Sequence, residues 1–415
     1  METGQPERRH RQLVIFLSGR LPIAGIAVLS LLLGYAVSPS AAAAASEARR
    51  TSATQAAPAS GAPLLASRSP RVTYRGGLFL RHMRVVTITF AGDDSALVAR
   101  LERFGDTLPR SPWWRASVGG YCASAGDCIG DGRPGLALQL QEKLPVRVHG
   151  VDVAALLRRE AAAGHLDAAD PENVFLVYLP AGVTLFDANH DHFCGGGPRA
   201  FHRALRHEGR QNGFSVVPRC GDEAELTATA SHELVELATN PDTSRRGFAI
   251  EQDSVGLPFT AAGVEPMDPC GLITRDTNRA IESGFAVQRA WSNRSAALGT
   301  DPCGSDPAGT PFAALVPRQP TVLLREVGDR ATVVLDAASV GLDAAWTVSA
   351  IDLSRGPTGE RYFEARLDRA TVAAGDTVQL TLELLRKPPE KTGTVGLVST
   401  FRGQVRLWPL TVNTR

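Results

Sequence analysis

The stretch that most constrains this chain runs from Glu223 to Asp242 and reads EAELTATASHELVELATNPD. Leu226, Ala230, Leu234, Leu237 and Ala238 recur at helical spacing. At about 100° per residue they form one apolar stripe, so most of the stretch reads as a single helix. Asn240-Pro241 ends it, because proline lacks an amide hydrogen and pushes the residue before it out of the helical region. His232 and Glu236 stand four residues apart, which places both on the face opposite the stripe, with Glu233 between the two faces. That polar face is either an exposed helix surface or a site.

The His-Glu-x-x-Glu spacing suits a metal. Two ligands one helical turn apart can grip one ion, and the adjacent Glu233 can reach a water on it. The pattern resembles the His-Glu-x-x-His helix of the zincin metallopeptidases, with Glu236 where those enzymes have a second histidine. A carboxylate is an acceptable zinc ligand, and a zinc site needs a third protein ligand. Asp242 lies ten residues after His232, where zincins of the metzincin type place theirs. Asn240-Pro241 would then have to turn the chain, and Met267 would be the methionine of their supporting turn. Glu265 and Asp268, on a turn that Cys270 can pin, are the alternatives. One histidine among carboxylates makes an oxygen-rich set, so calcium and manganese compete with zinc.

The chain suits two domains at 415 residues. Basic and acidic residues nearly cancel, at a formal net charge of +1, which argues against an electrostatic nucleic-acid partner. Arg8, Arg9, Arg11 and Arg20 precede an apolar run from Leu21 to Val37, and small residues follow through Ala45. That order predicts a secretory signal or an N-terminal anchor over residues 1–45, and with it a secreted or cell-surface location. The membrane would be met only through that segment. Export makes the six cysteines readable as disulfides, with sequential pairing expected: Cys122–Cys128, Cys194–Cys220 and Cys270–Cys303.

Residues 46–72 are rich in Ala, Ser, Pro and Arg and read as a flexible linker. Met83 to Phe90 is β-branched and bounded by a turn, hence a strand. Ser95 to Phe104 and Val151 to Ala163 have helical periodicity, and Asn173 to Leu179 and Phe214 to Pro218 read as strands. Trp113 and Trp114 beside Pro112 fit core packing. Gly119 to Gly135, with Asp127 and Asp131, fits a disulfide-pinned surface loop rather than a calcium site. Asp187 to His192 resembles the start of a calcium loop but has His192 where glycine is required and Pro198 where glutamate is required. His190, His192 and His202 are instead candidates for lining a cleft near the helix.

Past Pro311 the texture changes to short alternating segments, clearest in Val378, Leu380, Leu382 and Leu384. Seven such segments read as a sandwich of the immunoglobulin or fibronectin type. The expected architecture is an α+β zincin-like domain over 73–306 and an all-β immunoglobulin-like sandwich over 307–415.

Ser231-His-Glu-Leu-Val-Glu236, Thr239-Asn-Pro241, Glu265-x-x-Asp268-x-Cys270 and Val287-Gln-Arg-x-Trp-Ser-Asn293 together resemble a family of secreted bacterial proteins with a zincin-like helix. That family is distantly similar to the plant exordium, or phosphate-induced, proteins. The resemblance covers about residues 75–305 and favours Glu265 as third ligand, because it places Glu265 in a motif of its own. Asn240 stands where relatives carry an aspartate. The resemblance implies a metal-dependent peptidase acting on a peptide or protein, with Glu233 as general base and His232, Glu236 and Glu265 or Asp242 on zinc. The competing class is a non-catalytic cell-surface binding or adhesion protein whose metal, if any, is structural. The disulfide expectation has a direct check: thiol titration of the denatured exported protein should find none of the six cysteines free.

Overall fold

The structure, a computed structural model, describes residues 61–187, 193–194, 198–251, 265–274, 278–304, 311–354 and 359–415. The expected signal or anchor, most of the expected linker, His190 and His192 lie outside the described residues. No described helix is long and apolar enough to cross a membrane.

The first layer is a five-stranded sheet of β1 (Arg84–Phe90), β2 (Leu136–Leu140), β3 (Asn173–Tyr178), β4 (Phe201–His207) and β5 (Arg210–Val217), in the order β2-β1-β3-β5-β4. Four strands run parallel and β4 alone is antiparallel, at the edge. The inner strands are buried on both faces. Val85, Val174, Leu176 and Val217 pack into one core, and Val86, Ile88, Phe175, Val177 and Val216 into another. Such near-continuous burial belongs to parallel strands covered on both sides. Helix α1 (Ser95–Thr107) packs on the first face, and α2 (Gly150–Ala162) covers the second with Val153, Leu156 and Leu157.

The expected strands and helices all form, with ends moved by a few residues, and Trp113 and Trp114 are buried. The two edge strands carry weaker signals. In β2 only Leu140 is buried, and β4 is interrupted by Arg203, Arg206 and His207. An edge strand contacts the core on fewer sides, so its alternation is diluted.

Helix α3 (Glu223–Thr239) is the expected central helix. The Asp222 carboxylate accepts the Glu225 amide and caps its start. The Asn240 amide donates to the Glu236 carbonyl at its end. A Cβ on Gly213 of β5 would come within 2.5 Å of Leu237 Cδ2, so glycine there lets the helix lie close to the sheet. From Leu226 onward α3 is buried on nearly every side. Its polar face is therefore not a solvated surface, because other elements cover it.

From residue 61 onward, the stretch expected as linker is structured. Ala62–Arg68 is helical and buries Leu65, and Val72–Tyr74 pairs with Phe248–Ile250. A short helix without periodicity is held here by docking rather than propensity. Gly61 abuts the Ser339 backbone so closely that a Cβ would lie 2.4 Å from its nitrogen.

The C-terminal part is a β-sandwich. One sheet has the order Phe312–Pro317, Arg330–Val340, Thr377–Leu384, Phe363–Leu367. The other runs Thr321–Leu323, Gln404–Asn413, Thr392–Phe401, Trp346–Asp352, Thr371–Val372. All seven expected strands are present, joined by Phe312–Pro317 and Thr371–Val372. Val378, Leu380, Leu382 and Leu384 are fully buried, as alternation demands.

The three disulfides pair as expected: Cys122–Cys128, Cys194–Cys220 and Cys270–Cys303. In the loop pinned by the first, Asp127 pairs with Arg81 and Asp131 with Arg115, so both carboxylates are used structurally.

The two parts share one packed core and a buried ion pair. Arg406, on strand Gln404–Asn413, holds Asp301 at 2.7 Å, and both side chains are almost wholly buried. Asp301 also accepts the Cys303 amide at 3.0 Å. Removing one member leaves the other charge buried. Asp301→Ala is therefore expected to cost the intact chain about 3–5 kcal/mol, read as a lowered midpoint in urea unfolding.

Candidate metal centre

Four segments, α3 included, build a cluster on the polar face of that helix. The helix itself supplies His232, Glu233 and Glu236. Strand β4 supplies His202, and the turn leading into α4 (Asp268–Thr274) supplies Glu265 and Asp268. The fourth is β6 (Phe285–Gln288), which lies along α3 and carries Gln288.

The first group is His232, Glu236 and Asp268. His232 Nε2 lies 3.1 Å from Glu236 Oε1 and 3.8 Å from Asp268 Oδ1. Two ligands each ~2.1 Å from a tetrahedral ion stand about 3.4 Å apart, so these separations fit one cation. Glu236 Oε1 is buried, makes no well-formed hydrogen bond and faces only the His232 imidazole, a charge that a cation between the two would match.

His232 is oriented from behind. Its Nδ1–H donates to Gln288 Oε1 at 3.2 Å, and Gln288 Nε2 donates to the Met267 carbonyl at 3.1 Å. The amide's orientation holds a proton on Nδ1 and turns Nε2 towards Glu236 and Asp268, where its lone pair becomes available to an ion once the Nε2 proton leaves. Gln288 is itself fixed to α3, since its backbone amide donates to Ser231 Oγ at 2.8 Å. Met267 is fully buried and acts here through its carbonyl. The Trp291 amide ties the turn down at the Pro266 carbonyl, and the Cys270–Cys303 disulfide pins α4.

The second group is His202, Glu233 and Glu236, all buried. His202 Nδ1 lies 3.2 Å from Glu233 Oε2 and 3.5 Å from Glu236 Oε2. On the ring's other side, Nε2 has no hydrogen-bond partner and stands 3.7 Å from Glu265 Oε1. Asn240 Nδ2 donates to that same Glu265 oxygen at 2.8 Å, while Asn240 Oδ1 accepts the Phe248 amide. The asparagine that ends the helix thus positions Glu265, a task that needs a donor.

The cluster is short of positive charge, and its ionisations show it. Burial drives the Glu236 carboxyl up to about 8, with Glu265 and Asp268 adding to that against the pull of His232. Burial likewise raises Asp268 to about 6, with His232 opposing and Glu265 and Glu233 adding. Burial alone would lower His202, but Glu265, Glu233 and Glu236 outweigh it and lift the imidazole to about 9. His232 is also lifted well above its ordinary value, burial being overcome chiefly by Glu236.

Of the residues expected at the site, His232, Glu233, Glu236, Glu265 and Asp268 are brought together. Asp242 is not. Its carboxylate accepts the amide and hydroxyl of Ser244 and pairs with Arg206 at 3.2 Å, because the chain beyond Pro241 turns into a local cap. Asp268, rather than the preferred Glu265, completes the His232 group, and Glu265 faces His202. Reading by ligand spacing passed over His202, Gln288 and Asn240 as site members. His202 was visible only as one of three cleft histidines, and Gln288 only inside the Val287–Asn293 motif.

No protein-family model and no curated protein matches the chain. Among solved structures it is similar to titin M4 in a trigonal form and to the titin M3 domain, each at 14% identity over 25% of this chain. They are covered over 95% and 96% of their lengths, with TM-scores of 0.17 and 0.16. At such scores the likeness carries no weight, and the sandwich rests on its own strand pairing.

An orienting partner of this kind typically sets metal affinity by about 10–100-fold. Gln288→Ala should weaken binding by that factor with an unchanged far-ultraviolet circular dichroism spectrum, measured by competition with a chromophoric chelator. Asp242→Asn should leave affinity unchanged; a comparable loss there would restore Asp242 as a ligand.

Proposed function

We propose that this is an exported, divalent-metal-dependent hydrolase of peptide bonds, with a zincin-like domain followed by the sandwich. The observation that carries the reading is the convergence of His232, Glu236 and Asp268, whose ligand atoms lie within 4.8 Å of one another. The buried Glu236 Oε1, which faces His232 without a well-formed hydrogen bond, supports it. The element order is compatible with it: β1, α1, an insertion that adds β2, α2, β3, the β4–β5 hairpin and then the His-Glu helix. The three disulfides agree with an oxidising compartment.

His232, Glu236 and Asp268 would hold the ion, which supplies Lewis acidity towards a carbonyl and lowers the pKa of a bound water. The side chains of His232 and Asp268 remain 19% and 30% exposed, so this side of the cluster is the one that reaches solvent, as a catalytic site requires. Glu233 neighbours the group and is 5% exposed. It would serve as the general base and acid, taking a proton from an attacking water and returning it to the leaving amine. The oxygen-rich ligand set suits manganese as well as zinc.

The purified protein should carry divalent metal by elemental analysis, and His232→Ala should lose the ion of this group. Glu233→Gln should keep that ion and the fold, yet lower hydrolysis of a responsive peptide by about 10²–10⁴-fold, the usual contribution of a placed proton-transfer group. Metal present but no cleavage across a broad peptide library would overturn the peptidase reading. No metal at all, with a stable His232→Ala variant, would end the metal reading.

A further inference from the structure

We infer that the cluster is built for two divalent cations, with the Glu236 carboxylate as the bridge between them. The inference rests on the reading above that the His232 group holds an ion.

The two oxygens of Glu236 face different imidazoles. Oε1 is 3.1 Å from His232 Nε2, and Oε2 is 3.5 Å from His202 Nδ1. Each oxygen belongs to its own three-ligand group: His232, Glu236 and Asp268 on one side, His202, Glu233 and Glu236 on the other, with Glu233 offering the second ion only Oε2, the oxygen that faces His202, and keeping Oε1 for the proton. In the second group the separations of 3.2 Å and 3.5 Å again match the ~3.4 Å expected between ligands of one ion. A carboxylate that offers one oxygen to each of two ions holds them at the separation of about 3.5–4 Å typical of two-metal sites.

Charge counting points the same way. Glu233, Glu236, Glu265 and Asp268 bring four carboxylates together with two imidazoles. With neutral imidazoles and one divalent ion, two negative charges stay uncompensated in a mostly buried volume, an expensive state. A second divalent ion cancels them. Two histidines and four carboxylates is also the ligand inventory of the dinuclear carboxylate centres of helical bundles, although the scaffold here is a sheet edge and one helix. The second group is the more closed, since His202, Glu233 and Glu236 are 7%, 5% and 4% exposed. Glu265, held by Asn240, backs the His202 ring in the way an outer carboxylate supports a ligating histidine.

Manganese is the probe, because it suits oxygen-rich sites and is paramagnetic. The full chain, stripped with a chelator and dialysed against manganese chloride, should bind two ions per chain by elemental analysis. Its electron paramagnetic resonance spectrum should show exchange coupling between them. His202→Ala should bind one ion and lose the coupling; His202→Gln, which better preserves volume, should do the same if the alanine variant unfolds. Glu236→Gln should weaken both ions together. One ion per chain in the unmodified protein, unchanged in folded His202→Ala or His202→Gln, would overturn the second site while leaving the one-metal reading intact. No ion in the unmodified protein would overturn both.

Discussion

Four carboxylates gathered around two imidazoles against a buried helix face are an electrostatic demand that the rest of the fold is arranged to meet. Bringing that much negative charge out of water is unfavourable unless it is matched. The surrounding elements therefore act as a frame. The sheet fixes the back of α3 through Leu237 against Gly213, β6 fixes His232 through Gln288, and the α4 turn brings in Glu265 and Asp268. No single element forms the site. It exists only where these segments meet.

The helix was legible because its information is local. An apolar stripe, a terminal Asn-Pro and a four-residue His–Glu spacing need no knowledge of other segments. The remaining members were not legible for a physical reason. His202 sits thirty residues upstream on an edge strand, and its approach to Glu233 depends on the antiparallel register that sets it opposite Ser215. Gln288 acts only through the tautomer of a residue on another element. Asp242 stood at a ligand spacing, but Ser244 and Arg206 claim it. In the sandwich, alternation is local again, and the strands were read from it. The Ala62–Arg68 helix shows the opposite case, since a sequence that reads as linker is ordered by what it docks on.

The joint between the two parts is more than a tether. The Arg406–Asp301 pair is desolvated, α4 rests against the strand that carries Arg406, and the core is continuous across the boundary. A sandwich that served merely as a spacer would not need such a contact. Here it braces the loop that holds Cys303, and through it the helix that begins at Asp268.

The Cys270–Cys303 bridge thereby acquires a second role. Asp268 and Cys270 lie on the same short helix, so the covalent link narrows the positions that the carboxylate can explore before any ion arrives. Restraint of this kind works in both directions. Whatever affinity an ion loses when the bridge is opened, the bridge gains in resistance to reduction when the ion is bound. With the proposed ion, oxidation of the bridge and metal capture would become one linked equilibrium, in which each event makes the other harder to undo.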